Sequence, residues 1–409
     1  ANSANIYACA DDFAVLNQSA TKTAIWCNSG GSTDLFYNNS KKFETTSTGA
    51  TVTGSVIADN TPGRNIIING AMQVAQRGTS TTTNNTFCPD RWKCQFGGTD
   101  EALTFTQHAL TSSDTGPWAK GFRYSLHVQN GNQTSGAGAS DYAQIRYIVE
   151  AQDIANSGWD YTSASSYITL SFWIKSSVAQ DFAGNLKTSD GTEYTYAFKT
   201  GSLSADTWTK VTKTISGNAN LTFNNDNGVG LILYFYPFEG TTWTGSVTED
   251  TWYTTSGNDD ADDMTSTWWT TNDSTYELTG IQIEVGSVAT NFEHKTYNED
   301  LQACERYFQS SFQKGQTPTG STNSESTINV ISWGDGNAAG IQFRTPMRTG
   351  PTVTLRNPLS TTANRVDSSG TERVAAATAI GEKSFKFINI TSGSANTWVN
   401  VAYYADAEL

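Results

Sequence analysis

Tyr167–Lys175 reads YITLSFWIK, with Ile168, Leu170, Phe172 and Ile174 on one parity and Tyr167, Thr169, Ser171, Trp173 and Lys175 on the other. A period of two puts each set on one face of a strand. The stretch therefore predicts a sheet with one face packed inward and the other turned to solvent or a partner. The alternation recurs in Arg123–Gln129, where Tyr124, Leu126 and Val128 oppose Arg123, Ser125, His127 and Gln129, and in YAQIRYIVE, through Ile145, Tyr147 and Val149. Val229–Phe238 (VGLILYFYPF) is apolar on both parities as far as Tyr236, which predicts a central strand of a sandwich. In Tyr276–Val285, Tyr276 and Leu278 share one parity and Ile281, Ile283 and Val285 the other. The slip falls at Thr279-Gly280, where one extra residue in a β-bulge restores a common inward face.

Around these segments, runs of Thr, Ser, Asn and Gly mark polar turns between many short strands. A chain of 409 residues, 37% hydrophobic and 16% charged, has the composition of two or three globular domains. Thirty-five Gly against eight Pro excludes a collagen-like repeat. The net charge of −14 repels phosphate backbones and anionic headgroups, which argues against nucleic-acid and peripheral membrane roles. No apolar run approaches the ~18 to 20 residues of a membrane-spanning helix, and the opening ANSANIYACADD lacks the pattern of a secretory signal. The five cysteines, Cys9, Cys27, Cys88, Cys94 and Cys304, form neither a CxxC pair nor a dense framework. They read as reduced thiols in a protein assembled in a cytoplasm.

One helix is predicted. Asn298 suits an N-cap, Glu299 and Asp300 favour a first turn, and Leu301, Cys304 and Phe308 follow at helical spacing, giving a helix over Asn298–Ser311. The chain then divides into residues 1–62, with short strands such as Asp34–Tyr37 too thin to bury a core alone; residues 63–296, with about a dozen strand candidates; a linking helix and low-complexity loop over 297–325; and residues 326–409, with strands at Ile341–Phe343, Val353–Leu355, Phe385–Ile390 and Val399–Tyr403. The expected class is all-β.

Four segments resemble tail-fibre and receptor-binding proteins of tailed bacteriophages, particularly phages of marine bacteria and cyanobacteria. Leu35–Gly54 (LFYNNSKKFETTSTGATVTG) is similar to the short repeat stacked in trimeric fibre shafts. Arg64–Ser80 (RNIIINGAMQVAQRGTS), with Pro89-Asp90-Arg91-Trp92, resembles the opening of the fibre's jelly roll. Leu278–Tyr297 (LTGIQIEVGSVATNFEHKTY) and Glu299–Phe308 resemble its closing strands, with Asn291 where the pattern often has proline. Phe343–Leu355 (FRTPMRTGPTVTL) and Tyr403–Leu409 (YYADAEL) are similar to a C-terminal tip module. The resemblance implies a homotrimer on the virion, assembled in the host cytoplasm. Its parts would be an N-terminal shaft attached to other virion proteins, a jelly roll like that of carbohydrate-binding modules, and a β-sandwich tip that contacts host surface glycan. A head-decorating or tail-connecting component is the alternative setting.

Two constellations carry candidate chemistry. Thr241–Trp269 holds Trp243, Trp252, Tyr253, Trp268 and Trp269 among Thr, Gly, Ser and Asp. Aromatic planes stack on sugar C–H faces while polar neighbours pair with hydroxyls, so the segment is a carbohydrate-binding candidate, as is Trp333 beside the Gly-Asp-Gly turn. Indoles that pin loops to the sandwich, or pack between subunits, fit the same pattern. In NDDADD (258–263), Asp259, Asp260, Asp262 and Asp263 crowd four carboxylates into five residues. They read either as a solvated acidic loop or as a structural calcium site; the EF-hand pattern fails, because Asp263 stands where the turn needs Gly and Trp269 where Glu should close the shell. No cofactor is required.

The sequence has no GxSxG, HExxH, Walker or GxGxxG pattern, and its three histidines are His108, His127 and His294. Hydrolysis of glycosides would need only two carboxylates across a cleft, for which Asp90, Glu150, Asp153, Glu239 and Glu284 are available. The sustained repeats of β-helical tailspikes are missing, so the expectation is a binding protein without catalytic residues.

Overall fold

The computed structural model describes residues 12–53, 62–257, 259–312, 327–331, 337–358, 360, 362–388 and 398–409. It separates into two compact units, residues 1–61 and 62–409. In the first, five strands form an antiparallel meander in sequence order: Asp12–Leu16, Thr23–Asn28, Thr33–Tyr37, Ser40–Thr46 and Gly49–Val52. Asp34, paired with Lys41 at 2.7 Å, is the one buried residue among those described here. The sheet is a single layer without a core, as the thinness of the segment predicts. Register lines Val15, Ile25, Leu35, Phe43 and Val52 across all five strands, so one face carries an apolar stripe.

The second unit begins with a sandwich of two antiparallel sheets. One has the strand order Thr209–Ser216, Tyr167–Ser176, Thr275–Val285, Tyr124–Gln129, Thr104–Ala109 and Ser80–Thr81. The other runs Trp252–Thr254, Tyr194–Lys199, Ala183–Thr188, Val229–Glu239, Tyr142–Glu150, Lys93–Gly97 and Thr86–Phe87. Period-two patterning sends Ile168, Leu170, Phe172 and Ile174 from the first sheet, and Ile145, Tyr147, Leu231, Leu233 and Phe235 from the second, into one core. Val229–Glu239 lies fourth of seven, in the central position its double-sided apolarity predicts.

The bulge falls where the parity slip puts it. Ser171 pairs with Gln282 and Trp173 with Thr279, leaving one extra residue on the 275–285 strand. Gly280 supplies it at φ +62°, a conformation that disfavours side chains, and a Cβ there would come 2.5 Å from the Phe122 ring. Tyr276, Leu278, Ile281 and Ile283 all face the core as expected, whereas Val285 at the strand end is exposed.

The linking helix is shorter than predicted, Tyr297–Glu305, and its cap is Thr296. Thr296 and Glu299 form a reciprocal capping box, which outcompetes Asn298 as the start. The helix stops early because Phe308–Ser310 pairs as a strand with Trp398–Asp406, the central strand of the C-terminal part. That part has its own core, including Leu355, Val366, Phe385, Val399, Val401 and Tyr403. A dense polar junction joins it to the first sandwich. Arg306 Nε and Tyr307 Oη donate to Glu150 at 2.6 Å each, Arg77 pairs with Asp406 at 3.2 Å and Glu408 at 3.3 Å, and Arg91 pairs with Glu408. Arg91 also lies over the Tyr307 ring. The helix and the strand after it are therefore docked, and the low-complexity loop expected over 314–325 lies outside the described residues. Two further short helices, Ala151–Ala155 and Thr267–Thr270, were not signalled by any periodicity. The described cysteines Cys27, Cys88, Cys94 and Cys304 are unpaired, and no helix among the described residues is long and apolar enough to cross a membrane.

Candidate functional site

Alternation that sends Ile145, Tyr147, Leu233 and Phe235 inward leaves their neighbours on the outer face of the seven-stranded sheet. Register places Lys93, Arg146, Tyr234, Asn185 and Ala197 in one row across five strands. The next row holds Ile148, Ile232, Lys187, Thr195 and Tyr253. Gln95 and Gln144 pair beside them. Lys93, Gln95, Gln144, Arg146, Lys187 and Tyr234 are all half-buried, so the face is partly open. Tyr234 stacks on Tyr236 with centroids 5.7 Å apart and planes 17° apart. Tyr236 is closed off by Ala261 and Met264, leaving Tyr234 as the accessible ring of the pair. Arg146 Nε is buried without a hydrogen-bond partner. At the rim, the half-buried Trp243 meets Tyr142 edge to face at 6.0 Å, its Nε1 donating to the Ser140 carbonyl at 3.3 Å.

A rigid ring beside a guanidinium, an ammonium and two amides can stack on an apolar ring face and hydrogen-bond the groups around its edge. Sequence reasoning missed Tyr234 because an apolar strand read on both faces looks wholly buried. The available signal was its parity. Tyr234 stands on the side of its strand that register matches to Arg146, which the neighbouring strand sends outward.

The predicted aromatic cluster divides. Trp268 and Trp269 are fully buried, with Nε1 donating to the Thr275 carbonyl at 3.0 Å and the Gly136 carbonyl at 2.9 Å. Trp252 is 7% exposed, donates to the Ser216 carbonyl at 2.7 Å and packs edge to face on Tyr196. A sugar platform needs a free ring face, and these three have none; they pin loops to the sandwich. Tyr253 is half-buried and donates to the Asp259 carbonyl at 2.7 Å, burial holding its phenol above the ordinary range. Trp243 and Tyr253 thus remain as rim candidates. Trp333 lies outside the described residues.

The four carboxylates of the acidic loop also diverge. Asp262 pairs with Lys199 at 2.7 Å, Asp263 accepts from Thr244 at 2.9 Å, and Asp259 accepts from Ser256 at 3.1 Å. Asp260 is held above the usual carboxylate range by burial, partly offset by Lys187. Among the described residues, the single group of three or more His, Cys, Asp or Glu side chains with converging ligand atoms lies elsewhere, at His108, His127 and Glu277. Calcium takes six to eight oxygens in one shell, so Asp259, Asp260, Asp262 and Asp263 do not fit it as arranged. Beneath the loop, Glu239 is buried with Oε2 unpartnered, and burial, reinforced by Asp260, pushes its carboxyl well up.

Three of the five carboxylates considered for hydrolysis have structural partners: Glu150 in the junction, Asp90 with Gln76, and Glu284 with Thr290. His294 donates through Nε2 to the Lys120 carbonyl at 2.7 Å and packs on Phe122 and Phe292 at the sandwich exit.

No protein-family model matches the chain, and no curated protein sequence matches it. Among solved structures, the enzymatically active domain of bacteriophage CBA120 tailspike protein 4 is similar over 55% of this chain and 22% of its own length, at 11% identity and TM-score 0.30. The N-terminal cellulose-binding domain of Cellulomonas fimi β-1,4-glucanase C is similar over 53% of this chain and 99% of its own, at 13% identity and TM-score 0.26. A family 11 carbohydrate-binding module from Clostridium thermocellum, solved with a β-1,3-1,4-mixed-linked tetrasaccharide, is similar over 53% of this chain and 99% of its own, at 11% identity and TM-score 0.24.

Proposed function

We propose that the chain is a non-catalytic carbohydrate-binding adhesin that works as an assembly of identical copies, in the setting of a bacteriophage tail fibre. The observation that carries the binding role is the partly open outer face of the seven-stranded sheet. There Tyr234 offers an accessible ring between Arg146, whose Nε has no hydrogen-bond partner, and Asn185, with Lys187, Gln144 and Gln95 alongside. Sugar rings bring matching chemistry, C–H faces for the tyrosine and hydroxyls for the amides and the guanidinium. Trp243 and Tyr253 extend the contact at its edge.

Self-association is supported by the coreless first unit. Its stripe of Val15, Ile25, Leu35, Phe43 and Val52 has no covering layer among the described residues of that unit, and such a face is stabilised by burial against another chain. The phage setting, threefold symmetry, attachment through the N-terminal segment and location on the virion rest on the sequence resemblance.

The test is retention of the full chain on a glycan array, followed by incubation of the bound polysaccharide. Retention that falls tenfold or more in Tyr234→Ala, with no new reducing ends released, is the expected result. Failure to retain any glycan removes the adhesin reading in favour of a virion component with a purely structural role, and released ends turn it into an enzyme.

A further inference from the structure

We propose that His108, His127 and Glu277, on the outer face of the six-stranded sheet, form a binding site for a divalent transition cation of the zinc class. His127 and Glu277 are directly opposed on neighbouring strands, and His108 lies on the next strand, diagonal to His127. The His108 and His127 Nδ1 atoms lie 3.3 Å from Glu277 Oε2 and 3.4 Å from Oε1, and all the ligand atoms fall within 4.8 Å of one another. Charge-assisted hydrogen bonds are shorter, at about 2.7–2.9 Å. Separations of about 3.3–3.5 Å are instead the edge of a tetrahedron built on zinc–nitrogen and zinc–oxygen bonds of about 2.0–2.2 Å.

The unfilled valences point the same way. An ionised carboxylate has about four lone-pair sites. Lys175 Nζ approaches Oε1 at 2.9 Å and Ser125 Oγ donates to Oε2 at 2.7 Å, and the second contact of each oxygen is a longer one to an imidazole nitrogen, His127 Nδ1 at Oε1 and His108 Nδ1 at Oε2. His127 Nδ1 is buried and has no hydrogen-bond partner. A cation seated among the three side chains satisfies that nitrogen and replaces the long imidazole–carboxylate contacts with ligand bonds. Three protein ligands with His108 half-exposed leave a fourth position open to solvent, and the bound ion would tie three adjacent strands together. Lys175 is the competitor for Glu277. It has a second partner in Asp114 at 3.1 Å, to which it can turn when a metal enters.

The experiment strips the full chain with EDTA and titrates it calorimetrically with zinc chloride at pH 7.5. The expected result is one zinc per chain, weakened tenfold or more by His108→Ala and by His127→Ala, unchanged in His294→Ala and tightened in Lys175→Met. Cobalt substitution gives an independent readout that does not depend on any variant folding. The wild-type chain should acquire the strong visible absorption of four-coordinate cobalt. Absence of a stoichiometric zinc site, zinc binding that survives the double histidine substitution, or a cobalt spectrum no stronger than that of the hydrated ion would each overturn the assignment.

Discussion

Burial separates tryptophans that the sequence presents alike. Trp268 and Trp269 have no exposed surface and Trp269 packs on Phe238 at 5.1 Å, so Trp269→Ala should cost about 3–5 kcal/mol in urea denaturation, the range for emptying a large aromatic site. A variant that loses glycan retention without losing stability would return Trp269 to the binding surface. Tyr234 reverses the pattern: its truncation should leave the denaturation midpoint nearly unchanged and remove binding. Composition placed aromatic residues in a polar loop but could not say which way each ring turns, because that depends on pairings far along the chain, such as Trp269 with the Gly136 carbonyl. Glu239 supplies a pH test. Its carboxyl is raised in the folded protein by burial and then by Asp260, so its contribution is fully present below the unfolded value of about 4.5 and is lost as pH rises toward the folded value. Glu239→Gln should therefore gain stability over wild type between pH 5 and pH 8; an equal difference at both pH values contradicts the burial argument.

Strands were legible where one face is apolar and the other polar. Tyr167–Ser176 and Tyr124–Gln129 follow their alternation, and the Gly280 bulge is visible as a change of parity. The helix boundary was not, because Phe308 satisfies a helical stripe equally well while pairing with a strand almost a hundred residues later. The junction beside it involves residues that no local pattern connects. Arg306 and Tyr307, with Gln152, hold the Glu150 carboxylate below its usual range despite the opposing effect of burial. That stabilisation is present above about pH 4.5 and is lost as pH falls through the depressed value. Glu150→Ala, which strands the Arg306 charge, should cost about 3 kcal/mol at pH 7. The penalty should shrink in acid, as read by denaturation of wild type and variant side by side; a pH-independent penalty would contradict the pairing.

For the whole molecule, a first unit whose described residues form a single sheet without a core fits an assembly of identical copies better than a solitary chain. Light scattering of the full chain should give three times 44.2 kDa. Replacing Leu35 and Val52 with lysine on the apolar stripe should shift that mass toward the single chain. Function was the least legible property, because the proposed binding face is assembled by register from five separate strands and carries no contiguous motif. The most direct test is affinity of the full chain for an array-identified polysaccharide, compared with Tyr234→Ala and Arg146→Ala. The account predicts measurable binding in wild type and at least a tenfold loss in each variant with the fold intact. Wild-type affinity retained in both would contradict it.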